Sequence, residues 1–456
     1  MTKYRTVAAL AFAAVLPAAA FADEPREQVL EKKVAELERR LAEVETQRGG
    51  YFTATSDLEA RISELERASL DNKGGMNVLW KNGLRTESDD KAFTFQVYGR
   101  IQNDWTFWDV DGDTEAALGE DDINGGTEFR RVRLGAQGTM YGNVKWKSEI
   151  DFADSEVEFA DVYMELVNCS FGAVRVGHFD EPFGLDRLTS SRFTTFMERN
   201  LIAEAFAPQR NTGVMLHGNA LDDRLTYQFG MFRDADGAGN DVDNASSGEY
   251  NFTGRVAGRP LVEDDGATYL HLGGALSYRD FSDDEARFRA RPHVHLGPRF
   301  VDTGTIDAED GMLAGAEVAF VTGPFKVQGE YARASGNGAS GADDFDFDAW
   351  AFEASYWLTG EGTAYDKGKA AFDRPKVKSN YGDGEGTGAW QVALGFDTID
   401  LGDASYEGGD MDTIRLGVSW WLNPNTRVSM NIVDVDRDDL DDGDARALEF
   451  RFQVDF

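Results

Sequence analysis

A single cysteine, Cys169, excludes an internal disulfide, so no part of this fold depends on one. Its surroundings read as a turn, where an unreactive structural thiol is expected. After the N-terminus no apolar run reaches the ~18 residues a membrane-spanning helix needs. Proline is scarce, with 10 residues against 49 glycines, which suits many strands and tight turns. Positive charge is scarce too: 46 Lys and Arg face 82 Asp and Glu, a net charge of −36, which argues against a nucleic-acid partner. No nucleophile elbow, P-loop or cysteine cluster is present, and no carboxylate pair stands out, so nothing points to an enzyme. A mean hydropathy of −0.44 looks soluble, but a transmembrane β-barrel exposes only alternate residues to lipid and has the same average.

The N-terminus reads as a secretory signal over residues 1–22. Lys3 and Arg5 precede an apolar core, Val7–Ala20, and Ala20-Phe21-Ala22 offers a small-residue cleavage site. Residues 23–70 read as a helical segment. Leu30, Leu37, Val44, Tyr51, Leu58 and Leu65 recur every seven residues, and Val34, Leu41, Thr55 and Ile62 fall on a second seam, with Arg48 between them. That is the a/d pattern of a coiled coil, which predicts an oligomer; one amphipathic helix lying on its own domain is the alternative. Residues 71–91 are polar and read as a linker.

From 92 to 456 the period becomes two. In the last stretch Leu448, Phe450, Phe452, Val454 and Phe456 share one face and Glu449, Arg451, Gln453 and Asp455 the other. Phe95, Val97, Ile101, Trp105 and Phe107 likewise oppose Gln96, Tyr98, Arg100 and Gln102. The polar faces carry many charges, and the apolar faces carry Trp, Phe and Leu with few breaks. That fits a barrel with lipid outside and a polar lumen better than a soluble sandwich. Connections alternate between short (Tyr141-Gly142-Asn143, Leu221–Arg224, Thr322-Gly323-Pro324, Asn423-Pro424-Asn425) and long and acidic (109–126, 180–210, 235–249, 281–310, 336–345, 401–410, 435–444). The count reaches sixteen strands, starting and ending on the short-turn, periplasmic side.

Two connections depart from the pattern. Between FGAVRVGHF and NTGVMLHGN stand nearly thirty residues that look ordered, which predicts a loop folded into the barrel's own pore. Residues 360–386, on the short-turn side, are long and basic, with Lys367, Lys369, Arg374, Lys376 and Lys378. They read either as a disordered turn or as a segment lining the periplasmic vestibule.

Residues 93–456 resemble the phosphate-selective porin O/P family of Gram-negative outer membranes. The carriers are EFRRVRLGAQG (128–138), HFDEPFGLDRLTSS (178–191), TFMERN (195–200), AFAPQRNTGV (205–214), SYWLTGE (355–361), GAWQVALGF (388–396) and the closing WWLNPNTRVSMN and FRFQVDF. The resemblance implies an all-β, sixteen-stranded antiparallel transmembrane barrel behind a periplasmic coiled-coil helix. It also implies a homotrimer, a third extracellular loop (181–210) as the constriction, and a water-filled channel for small inorganic anions, phosphate or polyphosphate. Arg130 and Arg131 match the family's paired arginine. Arg192, after Ser190-Ser191, stands in the loop where the family places a lysine at its narrowest anion site. Lys367, Lys369, Arg374, Lys376 and Lys378 match its basic periplasmic segment. By alternation alone Arg100, Arg133, Lys145, Lys147 and Arg255 face the lumen.

Anion passage needs positive charge where water is scarce, because low-dielectric walls focus the field of a local cation whatever the net charge. Glu149, Asp151 and Glu198 lie close to these cations in sequence and weigh against selectivity. A weakly selective or cation-preferring pore is therefore the alternative, and an adhesive envelope protein anchored by its barrel is another. No cofactor is expected. The acidic loops, among them DVDGDTEAALGE (109–120), read as a solvated surface, either bridged by divalent ions to lipopolysaccharide or adapted to salt, since Thr114 stands where a calcium loop needs Gly. His293 and His295 are too few for a metal site.

Overall fold

The computed structural model describes residues 31–40, 75–120, 122–153, 156–240, 249–403, 405–437 and 444–456. Two compact units emerge, 1–78 with 86–92 and 79–85 with 93–456. In the first, residues 31–40 are helical, with Val34 and Leu37 half-buried, and Glu36 receives Arg39 at 3.0 Å and Arg40 at 2.8 Å. The signal and the rest of the heptad pattern lie outside the described residues.

The second unit is one antiparallel sheet closed on itself, with sixteen long strands among the described residues. They are β1 (Thr94–Val110), β2 (Gly125–Met140), β3 (Val144–Asp151), β4 (Glu158–Cys169), β5 (Gly172–Asp180), β6 (Arg210–Ala220), β7 (Leu225–Arg233), β8 (Asn251–Glu263), β9 (Thr268–Asp280), β10 (Ile306–Thr322), β11 (Phe325–Gly338), β12 (Phe345–Trp357), β13 (Ala389–Asp403), β14 (Tyr406–Asn423), β15 (Thr426–Asp436) and β16 (Asp444–Asp455). Each pairs with the next, and β16 closes on β1 from Asp455 opposite Arg100 to Ala445 opposite Val110. Closure leaves no edge whose N–H and C=O groups would face hydrocarbon unpaired.

The expected inversion of the side-chain pattern is present. Ile101, Trp105, Phe107, Phe129 and Phe452 are exposed on the wall, while Arg100, Gln102, Asp104, Arg255, Arg415 and Arg451 are buried inside. Short turns share one rim. At Tyr141 and Gly142 both φ values are positive (53° and 70°), the twist that matches a tight hairpin to its strands.

Two expectations change, and one rejected motif is explained. Residues 401–410 are a hairpin rather than a long loop, because β13 and β14 run on to Asp403 and Tyr406. The calcium-like acid spacing is a helix cap: the Asp111 carboxylate accepts the N–H groups of Asp113 and Thr114 at the start of Gly112–Leu118. The lumen is not polar throughout. On the long-loop side of β12–β16 the inward residues include Phe347, Ile399, Leu401, Met411 and Val433, and they enclose Phe288, Val294 and Phe300 of loop 281–305. That loop closes over this part of the barrel because its aromatic residues have an apolar wall to bury against.

Candidate functional site

The connection from β5 to β6, residues 181–209, crosses the inside of the barrel. A barrel-wide loop inside a membrane protein must find partners for its backbone polar groups, and it finds them on facing strands. The Glu330 carboxylate on β11 accepts the N–H groups of Leu185 (2.8 Å) and Asp186 (3.0 Å) and the amide of Asn200 (2.9 Å). Asp397 on β13 accepts the N–H of Leu201 at 2.9 Å. Arg427 on β15 donates to the carbonyls of Thr194 and Thr195, both at 2.7 Å. Gln102 on β1 donates to the carbonyl of Ser191 at 3.1 Å. The ring of Phe196 lies where Gly395 and Gly417 leave bare backbone, with the Arg415 guanidinium 4.3 Å from its centroid. A Cβ at either glycine would come within 3.0 Å of that ring.

With the β10–β16 side taken up in this way, the open lumen is a lane between the loop and strands β1–β9. Its cavity measures about 830 Å³. Fifteen Arg and Lys line it against nine Asp and Glu, in a chain that is acidic by a wide margin. The basic residues come from the wall (Arg100, Arg130, Arg131, Arg133, Lys147, Arg210, Arg279), the crossing loop (Arg187, Arg192, Arg199), loop 281–305 (Arg287, Arg289, Arg291, Arg299) and Lys369.

One local irregularity sets two of these. The β1–β2 register shifts between Gln102 and Asn103, so that Arg131 and Phe129 face successive β1 residues and Arg130 is the extra one. The bulge lets neighbouring arginines both reach Glu198, Arg130 at 3.0 Å and Arg131 at 3.6 Å, while Phe129 points to lipid. Strict alternation would send one of the two into hydrocarbon.

Most lane cations are held by carboxylates. Arg187 and Arg210 bracket Asp180 at 2.6 and 2.8 Å, Arg210 and Lys147 bracket Asp161 at 2.8 and 2.5 Å, and Arg100 and Arg133 share Glu149 at 3.1 and 3.2 Å. Among the described residues, Arg199, Arg289, Arg299 and Lys369 have no carboxylate within ion-pair distance. Arg199 donates only to the carbonyls of Asp186 and Thr189, at 3.0 and 2.9 Å. Burial and then the Arg187 charge bring its guanidinium down to about 10. Burial, Arg291 and Arg289 also lower Arg299. Cations crowded by cations in a narrow, partly desolvated lane favour an anion between them.

The long connection on the short-turn side, 358–388, is ordered and enters the barrel. Ala364–Asp366 pairs with Ala371–Asp373, and the tip carries Lys369 into the lane. Phe372 donates its N–H to the Thr189 hydroxyl of the crossing loop at 3.3 Å. The channel is therefore narrowed from both sides.

Of the residues picked out in the sequence, Arg100, Arg130, Arg131, Arg133, Lys147, Arg192 and Lys369 line the lane. Arg192, on the crossing loop, lies 3.8 Å from Asp455, donates to the Ser190 hydroxyl at 3.2 Å and stacks over Phe193 at 5.0 Å. Lys145, Lys367, Arg374, Lys376 and Lys378 stand elsewhere. Lys145 approaches Glu165 at 3.9 Å, Lys367 approaches Asp223 at 3.7 Å, Arg374 pairs with Asp455, Lys378 donates to the Gly360 carbonyl, and Lys376 is exposed. Arg255 does point inward, but it is fully buried against Glu317 and takes no part in the lane. The sequence reading passed over the arginines of RFRARPHVHLGPR. Four arginines in thirteen residues, inside an acidic chain, are the signal that marks them. His293 and His295 are tied into the structure: His293 bridges the Arg199 carbonyl and the Thr413 hydroxyl, both at 2.9 Å, and His295 meets Glu128 at 2.8 Å.

Residues 95–456 match the family described as phosphate-selective porin O and P. Porin O of Pseudomonas aeruginosa is 28% identical over 425 residues, covering 82% of this chain and 92% of that protein. A protein of Caulobacter vibrioides is 29% identical over 365 residues, 78% of this chain and 70% of its own length. Among solved structures, the anion-selective porin from Comamonas acidovorans superposes with a TM-score of 0.52 at 14% identity, covering 80% of this chain and all of that one. That likeness concerns the fold.

Proposed function

The chain belongs to the phosphate-selective porin O and P family, and on that premise we propose that its lane passes small phosphate-bearing anions across the Gram-negative outer membrane. The barrel is an outer-membrane porin. Transport is diffusion down a gradient, with no bond made or broken. The crossing loop sets the bore, and the cations without carboxylate partners supply the successive positions at which an anion pauses.

One observation carries the reading: a protein of net charge −36 lines this lane with fifteen basic and nine acidic side chains. A guanidinium offers a fork matched to two phosphate oxygens. The carboxylates interleaved with the arginines hold them in place and keep any single site from binding too tightly. Conduction needs that balance, since an ion must leave as readily as it arrives. The helix at 31–40, with the heptads that continue beyond it, supports assembly into a homotrimer.

Reversal potential across a KCl gradient, measured on the purified full chain in planar bilayers, tests the reading. Chloride preference, and a current that falls as phosphate is added, are the expected results. Cation preference would overturn it.

A further inference from the structure

The tip of the periplasmic hairpin is held by one residue of the wall. Arg255 on β8 donates one terminal N–H to the Lys369 carbonyl at 2.8 Å and another to the Ala370 carbonyl at 2.7 Å. Its remaining donors are used as well, by Glu317 at 2.7 and 2.8 Å and by Gln228 at 3.1 Å. The side chain has no exposure, so its charge is spent within the wall. A third tie, from the Thr226 hydroxyl to the Lys367 carbonyl at 2.8 Å, fixes the other side of the tip. The consequence is on the opposite side of the same peptide. The Lys369 side chain is open to the lane, and among the described residues its ammonium has no acid within ion-pair distance. A backbone clamped at two consecutive carbonyls leaves a free cation aimed into the path of the anion.

We propose that Arg255 is a positioning residue for permeation, acting through Lys369, and that Lys369 is the last anion-holding step on the periplasmic side. This rests on the anion reading given above. Only an arginine fork can hold two carbonyls and a carboxylate together, because a lysine ammonium in the same place is a single point. Substituting Arg255 by Lys therefore keeps the wall charge and releases the tip.

The test compares Lys369→Ala, Arg255→Lys and the double variant in the full chain. The readouts are the chloride-over-potassium permeability ratio and the phosphate concentration that halves the current from the periplasmic side. Lys369→Ala should lower chloride permeability about three- to sixfold, the factor that losing one unit charge at roughly 4–7 Å in a water-like dielectric gives, and lower the ratio further because potassium gains by the same amount. Arg255→Lys should move both readouts in the same direction. In the Lys369→Ala background it should add nothing further. An Arg255→Lys effect that persists without Lys369, or none at all, overturns the proposal. If Arg255→Lys does not fold, Thr226→Val removes the remaining tie with no buried charge at stake, and the same cycle with Lys369→Ala decides. Tip position is also read without reference to anions. A cysteine substituted for Lys369, in a background where Cys169 is Ser, should react with an impermeant thiol reagent at a rate that Arg255→Lys changes severalfold. An unchanged rate overturns the positioning role. A changed rate in a cation-preferring channel keeps the positioning role and overturns only the anion reading.

Discussion

The carboxylate of Glu330, on the eleventh strand, accepts the backbone N–H of Leu185, on a loop that leaves the fifth, at 2.8 Å. The same carboxylate holds Asp186 and Asn200, so one side chain fastens the far side of the crossing loop. Glu330→Ala leaves these donors unsatisfied in a buried place, a loss of about 1–3 kcal/mol for each. The expected result is a lower thermal midpoint together with larger and noisier single-channel current. Glu330→Gln should fall between, since the amide still offers one acceptor. Wild-type conductance in Glu330→Ala would show that the loop is held without it.

Arg289 and Arg299 touch no carboxylate and contribute little to folding, so replacing both with Ala should leave the thermal midpoint nearly unchanged, within about 0.5 kcal/mol per site. Anion preference should fall, and fall most at low salt, where the screening length is long. Reversal potentials at 0.1 M and 1 M KCl measure this. Equal selectivity at both salt concentrations would remove loop 281–305 from the mechanism.

Charge reversal at Arg192 should reduce chloride and phosphate permeability more than neutralisation does. Arg192 has only a distant pairing with Asp455, at 3.8 Å, so its charge is directed largely to the lane. Bilayer recordings of Arg192→Gln and Arg192→Glu give the comparison. Unchanged selectivity in both would exclude this residue.

Glu198 carries the opposite sign. It receives Arg130 at 3.0 Å, Arg131 at 3.6 Å and Arg451 at 2.6 Å, and these arginines hold its carboxyl well below the usual carboxylate range. Glu198→Gln frees positive charge in the lane. Phosphate should then block at lower concentration, and stability should drop because buried cations lose their partner. Weaker block would mean that the glutamate orders the arginines more than it offsets them.

Asp186 supplies a pH test. Burial and then the Glu353 charge push its carboxyl up to about 6. The folded protein therefore holds this proton more tightly than the unfolded chain does. Below about pH 4 both states are protonated and Asp186 costs nothing; above pH 6 both are ionised and the folded state bears the full penalty. Asp186→Asn should raise the thermal midpoint at pH 8 and leave it nearly unchanged at pH 4. A gain that is the same at both pH values would contradict the assignment.

Much of the barrel was legible because a wall between lipid and water imposes a period of two on every strand, and Phe452 outside with Arg451 inside is that rule at work. The crossing loop was legible as an interruption of the rule, and Arg192 with it. The paired arginines 130 and 131 were legible only as a motif, since the bulge that turns both inward is a matter of register with β1. The arginines of loop 281–305 went unread because a surface loop and a loop folded onto an apolar wall can have the same composition. Their place depends on Phe288 and Phe300 finding Phe347 and Trp108.

The sequence by itself determined a closed sheet with lipid outside, sixteen strands, and two insertions too long for turns. Local periodicity carries that information, because each residue's face is set by its neighbours two places away. Which basic residues line the lane was decided by tertiary structure alone. Lys367 and Lys369 are two residues apart in one basic run, yet one sits beside Asp223 and the other opens into the lane. Arg255, more than a hundred residues away, holds the carbonyls of Lys369 and Ala370, and no pattern local to the insert contains that contact.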